Sequence, residues 1–585
     1  MTSSYQKFPR IIVPGEPQVW TEDSAWHEVA RLQGAAIAVD TYPGVRLDEL
    51  HAFLSDVLPD HQVMNVEDLA ARPAAEIDRL IESNLTDDRV FGVLSHFTLA
   101  DFYDGEKLRE LGRMVSLLDT PVVLIGWGAA LVPVADRTLV LADMARWELQ
   151  QRQRAGAPNW RCDNGTEDSL RKYKRSFFVE WRIADRHKRS LFGELNYVLD
   201  TNSSVREGKL ITAETFHLGM EAAVSAPFRV VPFFDPGVWG GQWMKDVCGL
   251  DGDAENYAWC FDCVPEENSI LLDVGGDVVE LPALDVVLTQ PRKLLGALTH
   301  ARFGAEFPIR FDFLDTMGGG NLSLQVHPLT EYIQDHFGMH YTQDESYYLL
   351  DCDDDAMVYL GLRTGVEPEA MITELKNAAD GGSSFSAEKY VNTFPAKKHD
   401  HFSIPAGTVH CSGANSMVLE ISATPYIFTF KMWDWGRLGL DGRPRPIHLE
   451  HASHNIQWDR DTEWAQGQLI DQVQEVAAGP GWTEERTGLH ELEFIEVRRH
   501  WFTGVVQHDT NGTVNVFNLV EGSEAVVESP ENAFEPFEVH YAETFIIPAA
   551  VGAFTIRPTA NSVGQRLGTV KAYVRGTERQ PALSH

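Results

Sequence analysis

Between residues 34 and 202, short apolar runs alternate with longer segments of helical period. Ala35-Ala-Ile-Ala-Val39, Val122-Val-Leu-Ile-Gly126, Leu139-Val-Leu-Ala142 and Tyr197-Val-Leu199 are strand-length and almost wholly apolar, as strands buried on both faces are. Residues 47–58 and 74–84 instead carry apolar positions at amphipathic spacing. This alternation predicts an open α/β domain around a parallel sheet. From about residue 228 the strands become short and frequent, with alternating faces and turn residues, which predicts all-β barrels or sandwiches. Residues 367–379 and 471–476 are expected helical interruptions, and Gly479-Pro-Gly481 a linker into the C-terminal segment. No apolar run approaches the roughly 18 to 20 residues of a membrane span, so no transmembrane helix is expected. Residues 1–10 lack the cationic-then-apolar order of a secretory signal, and a cytoplasmic protein is expected.

One stretch of the β part departs from simple burial. On an extended Asn321-Leu-Ser-Leu-Gln-Val-His-Pro328, the residues Ser323, Gln325 and His327 share one face, and Leu322, Leu324 and Val326 the other. A polar face turned inward is the pattern of a barrel that holds something in its lumen. A second strand, Asp344-Glu-Ser-Tyr-Tyr-Leu-Leu350, sets Glu345 and Tyr347 on one face, and Pro405-Ala-Gly-Thr-Val-His410 carries Thr408 and His410 after a turn. An internal repeat divides the β part: Phe402-Ser-Ile-Pro-Ala-Gly407 reappears as Phe545-Ile-Ile-Pro-Ala-Ala550, 143 residues on. If the copies correspond, His410 of the first falls on Ala553 of the second, and a ligand present in one is missing from the other.

The chain has 585 residues, with 49 Lys+Arg against 86 Asp+Glu and a formal charge of −37. A field of that sign repels phosphate backbones and argues against a nucleic-acid coat, while leaving room for a local basic pocket. The length predicts roughly three domains, placed at 1–225, 226–460 and 461–585. Six cysteines make no disulfide framework, and Cys260-x-x-Cys263 without a second pair reads as two half-buried thiols. Gln325, His327, Glu345 and His410 form an N/O ligand set without sulfur, which suits zinc or another first-row divalent ion with an open coordination position; calcium suits it less well.

The motifs resemble a known family. Leu322-Ser-Leu-Gln-Val-His-Pro328, Glu345-Ser-Tyr-Tyr-Leu-Leu350, Val358-Tyr-Leu-Gly361, Ile404-Pro-Ala-Gly-Thr-Val-His410, Val418-Leu-Glu-Ile421 and Asp434-Trp-Gly-Arg437 with Asp441-Gly-Arg-Pro-Arg445 occur in the order seen in class I mannose-6-phosphate isomerases of the cupin superfamily. Phe233-Phe-Asp-Pro-Gly-Val-Trp-Gly-Gly241 looks like the opening of that catalytic domain, and the C-terminal segment is similar to the family's second, degenerate cupin. The resemblance implies two cupin-like barrels and one divalent metal ion, zinc as the first choice, on Gln325, His327, Glu345 and His410. It further implies proton transfer between C1 and C2, interconverting mannose 6-phosphate and fructose 6-phosphate through a metal-stabilised enediolate. Arg437 matches the family's catalytic arginine and would meet developing negative charge or hold phosphate; an ion pair with Asp434 or Asp441 is its plain structural role. Ser323, Lys431 and Arg437 are the substrate-facing candidates. Where the family commonly has a lysine two positions before the metal-binding glutamate, this chain has Gln343, so the phosphate preference and the base stay open, with Lys431, Arg443 or Arg445 as substitutes.

The N-terminal third more faintly resembles uridine-kinase-type nucleoside kinases, in Val39-Asp-Thr-Tyr-Pro-Gly44, Leu141-Ala-Asp-Met-Ala-Arg-Trp-Glu148 and Phe178-Val-Glu-Trp-Arg-Ile-Ala-Asp-Arg-His-Lys188. No Gly-x-x-x-x-Gly-Lys-Ser/Thr loop occurs, so a kinase-like domain without ATP chemistry is expected, serving regulation, oligomerisation or sugar binding. Arg182, Arg186, His187 and Lys188 are either an anion site or a solvated helix face. The expected partner is a small sugar phosphate, with neither nucleic acid nor membrane, and self-association is left open. The alternatives are an isomerase of another, unphosphorylated sugar, or a metal-containing sugar sensor.

Overall fold

A computed structural model describes residues 3–31, 34, 36–423, 428–440, 442 and 445–577. Ala35, Asp441 and Arg443 lie outside the described residues. The chain forms two compact units that do not follow chain order: Arg10–Ala223 with Glu267–Thr289, and Met1–Pro9 with Val224–Glu266 and Gln290–His585.

The first unit is built on a seven-stranded sheet ordered Val19–Thr21, Lys209–Thr212, Tyr197–Asp200, Arg137–Asp143, Ala36–Thr41, Val122–Gly126, Gln62–Asn65. The last five strands are parallel, and Ala36–Thr41 at their centre is buried at every position. The helix Leu47–Val57 buries Leu50, Phe53, Leu54 and Val57, the i, i+3, i+4, i+7 stripe the sequence predicts. Each such side chain contributes about 1.5 to 3 kcal/mol of burial. At the carboxyl ends of the central strands two members of the Arg182–Lys188 run, read as an anion site or a solvated helix face, meet carboxylates instead. His187 Nε2 lies 3.1 Å from Asp40, and Lys188 Nζ lies 3.0 Å from Asp143 Oδ2 and 2.7 Å from Asp285 Oδ1. Lys188 is therefore no part of a solvated helix face: an ammonium taken out of water needs paired carboxylates, and the fold supplies two.

The second unit contains two sheet pairs with the same strand order. In the first, a six-stranded sheet runs His401–Ile404, Glu345–Cys352, Ser416–Ser422, Arg310–Asp315, Trp259–Cys263, Phe233–Asp235; its companion runs Val391–Pro395, Met357–Leu362, His410–Ser412, Leu324–Val326, Phe430–Trp433. In the second, Thr544–Ile547, Asn515–Glu521, Leu567–Val574 and Ile495–Phe502 repeat the first four strands of the large sheet. Phe537–His540, Glu524–Glu528, Ala553–Pro558 and Val506–Asp509 repeat the first four of the small one. The repeated segments 402–407 and 545–550 fall on equivalent strands and turns. Among the described residues these sheets are open pairs rather than the expected closed cupin-like barrels.

Two local expectations fail at the start of the second pair. Residues 471–476 are not helical: Gln474–Gly479 is a strand pairing with Trp482–Arg486, and Gly479-Pro480-Gly481 is the hairpin turn between them rather than a linker. Gln474, Glu475 and Val476 are exposed on an edge strand, so no buried face imposed the alternation that would have marked it. Cys260 and Cys263 are fully buried rather than half-buried, and burial raises both thiol pKa values well above the ordinary range.

Candidate functional site

The inner face of the first sheet pair gathers the four sequence-marked side chains from three segments. Glu345 opens a large-sheet strand and pairs with Ile404 on one side and Ser422 on the other. Gln325 and His410 lie directly opposite each other on adjoining strands of the small sheet, with Lys431 opposite Gln325 on its other side. His327 follows its strand by one residue. One ligand-capable atom each from His327, Glu345 and His410 lies within 4.8 Å of the others, all from side chains that are 0 % exposed.

The turn that carries His410 is clamped from several directions. Gly407 has φ +88°, and a Cβ there would stand 2.8 Å from Gln457 Cγ and 2.9 Å from the Asn455 carbonyl oxygen, so glycine is required. Its N–H donates to the His327 carbonyl at 3.0 Å, and the Ala406 N–H donates to Asp344 Oδ1 at 2.9 Å. Arg460 Nη1 donates to the carbonyls of Pro405 (2.9 Å) and Ala406 (2.7 Å) and to Thr408 Oγ1 (2.5 Å). One turn thus ties together the backbone segments bearing His327, Glu345 and His410.

Outer hydrogen bonds fix the rings. His327 Nδ1 lies 2.9 Å from the Phe428 carbonyl and His410 Nδ1 lies 2.8 Å from the Thr408 carbonyl. A carbonyl accepts, so each Nδ1 carries the hydrogen and each Nε2 is left with a lone pair facing inward. There His327 Nε2 meets Glu345 Oε2 at 3.2 Å, His410 Nε2 meets Glu345 Oε1 at 2.8 Å, and Gln325 Nε2 lies 3.2 Å from His410 Nε2. The two amide donors at hand reach other atoms, Gln325 Nε2 meeting His410 Nε2 and Gln343 Nε2 meeting Glu345 Oε2, so His327 Nε2 and Glu345 Oε1 are buried without a hydrogen-bond partner. Such an arrangement is costly unless a proton or a cation sits among them. Electrostatics point the same way. Burial raises the Glu345 pKa, but His327 and His410 outweigh it and hold the carboxyl well below its ordinary range. Burial lowers the His327 pKa, and Glu345 with the Phe428 carbonyl holds it above its ordinary range. The donor set fits a first-row divalent ion.

The surroundings are acidic. Gln343 Nε2 donates to Glu345 Oε2 at 3.1 Å and reaches Glu420 Oε1 at 3.5 Å. Burial, with Glu345 and Asp312 nearby, pushes the Glu420 carboxyl well up, and burial pushes Asp312 to about 6. Ser323 is buried but precedes the Leu324–Val326 strand rather than lying in it. Arg437 is held to Asp434, Nη2 donating to Oδ1 at 2.5 Å and Nε to the carbonyl at 3.3 Å, while Arg445 pairs with the other Asp434 oxygen. The ion pair with Asp434 is thus real, and it fixes the guanidinium with Nη1 facing Gly320. No sequence motif marks Arg460, because a clamp on backbone carbonyls leaves none.

Residues 21–225 match a sequence-family model described as "Domain of unknown function (DUF8485)". The chain is 24% identical over 333 residues to a probable mannose-6-phosphate isomerase, GmuF, of Bacillus subtilis, covering 57% of this chain and 96% of that one. It is 26% identical over 217 residues to the mannose-6-phosphate isomerase of Streptococcus mutans, covering 37% and 63%. Among solved structures, the mannose 6-phosphate isomerase from Bacillus subtilis aligns with 60% of this chain and 100% of its own, at 18% identity and a TM-score of 0.48.

Proposed function

We propose that the chain is a metal-dependent aldose–ketose isomerase that interconverts mannose 6-phosphate and fructose 6-phosphate, with residues 226–460 as its catalytic part and 461–585 as a second, non-catalytic one. The observation that carries the reading is the buried convergence of lone pairs from His327, Glu345 and His410, in a chain whose curated relatives carry the name mannose-6-phosphate isomerase. Gln325, His327, Glu345 and His410 would hold one divalent ion, zinc as the first choice. Such an ion, when bound, supplies Lewis acidity toward the sugar's carbonyl and hydroxyl oxygens.

The protein's own groups do the rest. The Phe428 and Thr408 carbonyls hold both imidazoles in one tautomer, so both Nε2 lone pairs stay directed inward. The neutral Gln343 amide orients Glu345 without adding charge. Arg437, immobilised by Asp434, presents a fixed cation for the charge that develops when hydrogen leaves C2, with Ser323 and Lys431 as further substrate contacts. The N-terminal unit is read as a kinase-like sheet without phosphoryl transfer, since no phosphate-cradling loop is present.

A second reading, isomerisation of an unphosphorylated sugar, is favoured by one observation: the side chain beside Glu345 at position 343 is an uncharged amide. A coupled assay with mannose 6-phosphate and with free mannose separates the two. It is run on protein as isolated, after chelation, and after zinc is restored. Turnover of the phosphorylated sugar that disappears with chelation and returns with zinc is the expected result; turnover of free mannose alone selects the second reading. No turnover of either sugar by metal-loaded protein defeats both.

A further inference from the structure

The second sheet pair contains a cavity of about 120 Å³ lined entirely by polar side chains. Strand register locates it relative to the first pair. Asn515 pairs with Ile547 as Glu345 pairs with Ile404, and Lys571 lies opposite Phe517 as Glu420 lies opposite Tyr347. Arg498 lies opposite Lys571 as Asp312 lies opposite Glu420. On the small sheet Asp509 faces Ala553 as Gln325 faces His410, which puts Asn511 at the position of His327. Asn511, Asn515, Lys571 and Arg498 all line the cavity. The place where the first pair converges ligand atoms for a cation is therefore repeated with its charge inverted. The carboxylates Glu345, Glu420 and Asp312 are replaced by an amide and two cations.

We propose that this cavity is a binding site for a small phosphate-type oxyanion, either free inorganic phosphate or the phosphoryl end of a sugar phosphate. Arg498 and Lys571 supply the positive charge, with Tyr573 and Asn511 at the wall. Two carboxylates stand close. Glu496 is shared by three guanidiniums, from Arg486 (3.0 Å), Arg498 (2.9 Å) and Arg575 (2.9 Å), so it does not neutralise Arg498 alone. Glu484 lies 3.8 Å from Arg498 Nη1 and 3.6 Å from His500 Nε2, and it sets the wall the anion must avoid. Asn515, 1 % exposed, spends its Nδ2 on the Thr513 carbonyl at 3.0 Å and leaves Oδ1 buried without a partner. An unmet acceptor beside two cations selects an anion that also carries a hydroxyl, as hydrogen phosphate and sugar phosphates do. The volume equals roughly four waters at about 30 Å³ each, room for a phosphoryl group but not for a hexose as well.

This site rests on none of the assignments at Glu345, and the test keeps the two apart. Inorganic phosphate and mannose 6-phosphate are each titrated calorimetrically into the full-length protein and into its Glu345→Gln variant, which spoils the first site. One phosphate per chain is expected in both. Lys571→Gln should weaken it by about tenfold or more, as the loss of one charge-assisted hydrogen bond does. Asn511→Asp changes an exposed residue and places a negative charge at the cavity wall; it should weaken binding similarly even if Lys571→Gln fails to fold. Binding of phosphate alone identifies the free ion, and binding of mannose 6-phosphate that Asn511→Asp weakens identifies a sugar phosphate. Saturable binding of neither, or binding untouched by Asn511→Asp, overturns the proposal.

Discussion

The two sheet pairs of the larger unit share eight strands in the same order, yet among the described residues only one converges ligand atoms for a metal. In the first pair the small sheet contributes His410 and, just beyond a strand end, His327; at the equivalent places the second has Ala553 and Asn511. The large sheet of the first has Tyr347 next along from Glu345, its hydroxyl buried and unpartnered. The second has Phe517, packed with Phe545 and Phe554 into a continuous apolar core. The strand order decides which positions face inward. The side chains at a handful of those positions decide whether the interior holds a cation, an anion or only hydrocarbon.

The largest test of that contrast removes the metal-facing groups. Glu345→Ala and His410→Ala should each lower turnover by about a hundredfold or more and reduce bound metal, read by the coupled assay and by elemental analysis. Unchanged turnover in both would refute the assignment. Wild-type protein should carry one metal per chain, because Ala553 offers no ligand; a ratio clearly above one would erase the distinction between the pairs.

Smaller effects probe what holds the first site. Arg460→Ala removes a clamp from three acceptors and should cost about 3 kcal/mol, seen as an earlier unfolding transition together with weaker metal retention. Gly407→Ala installs the residue that the second pair has at Ala550. It should nonetheless cost about 1 to 3 kcal/mol, because φ is +88° there, whereas the second turn puts its left-handed residue at Gly552. If Gly407→Ala were neutral by thermal unfolding, the two turns would be interchangeable and the comparison weaker.

The smallest prediction concerns acid. Burial holds the His508 pKa well below the ordinary 6.5, so the unfolded chain takes up a proton near that pH that the folded chain refuses. The contribution is present above pH 6.5 and is lost as pH falls below it, at about 1.4 kcal/mol per unit until the folded pKa is reached. His508→Phe, beside Phe554 with rings stacked at 5.1 Å, should flatten the acid limb of the second pair's unfolding midpoint between pH 5 and 7.5. An unaltered limb would show that another buried group governs it.

The buried parallel strands and the Leu47–Val57 helix were legible because an apolar run or an i, i+3, i+4 stripe is a local signal. Gln325, His327, Glu345 and His410 were legible as polar residues on faces that alternation assigns inward. The edge strand Gln474–Gly479 was not, since exposed residues bear no such pattern. Nor was the burial of Lys188, whose pairing depends on Asp285, a residue distant in the chain.

By itself the sequence determined the type of the elements with a buried face, the repeat and the chemical nature of each inward-facing group, because these follow from side-chain period and composition over a few residues. Only the tertiary structure decided that residues 267–289 fold with the N-terminal unit and that Arg460 locks the His410 turn. It likewise decided that Arg498 and Lys571 stand where Asp312 and Glu420 stand in the other pair. Those facts are pairings between residues far apart along the chain, set by strand register, and no local pattern records which distant strand a strand will choose.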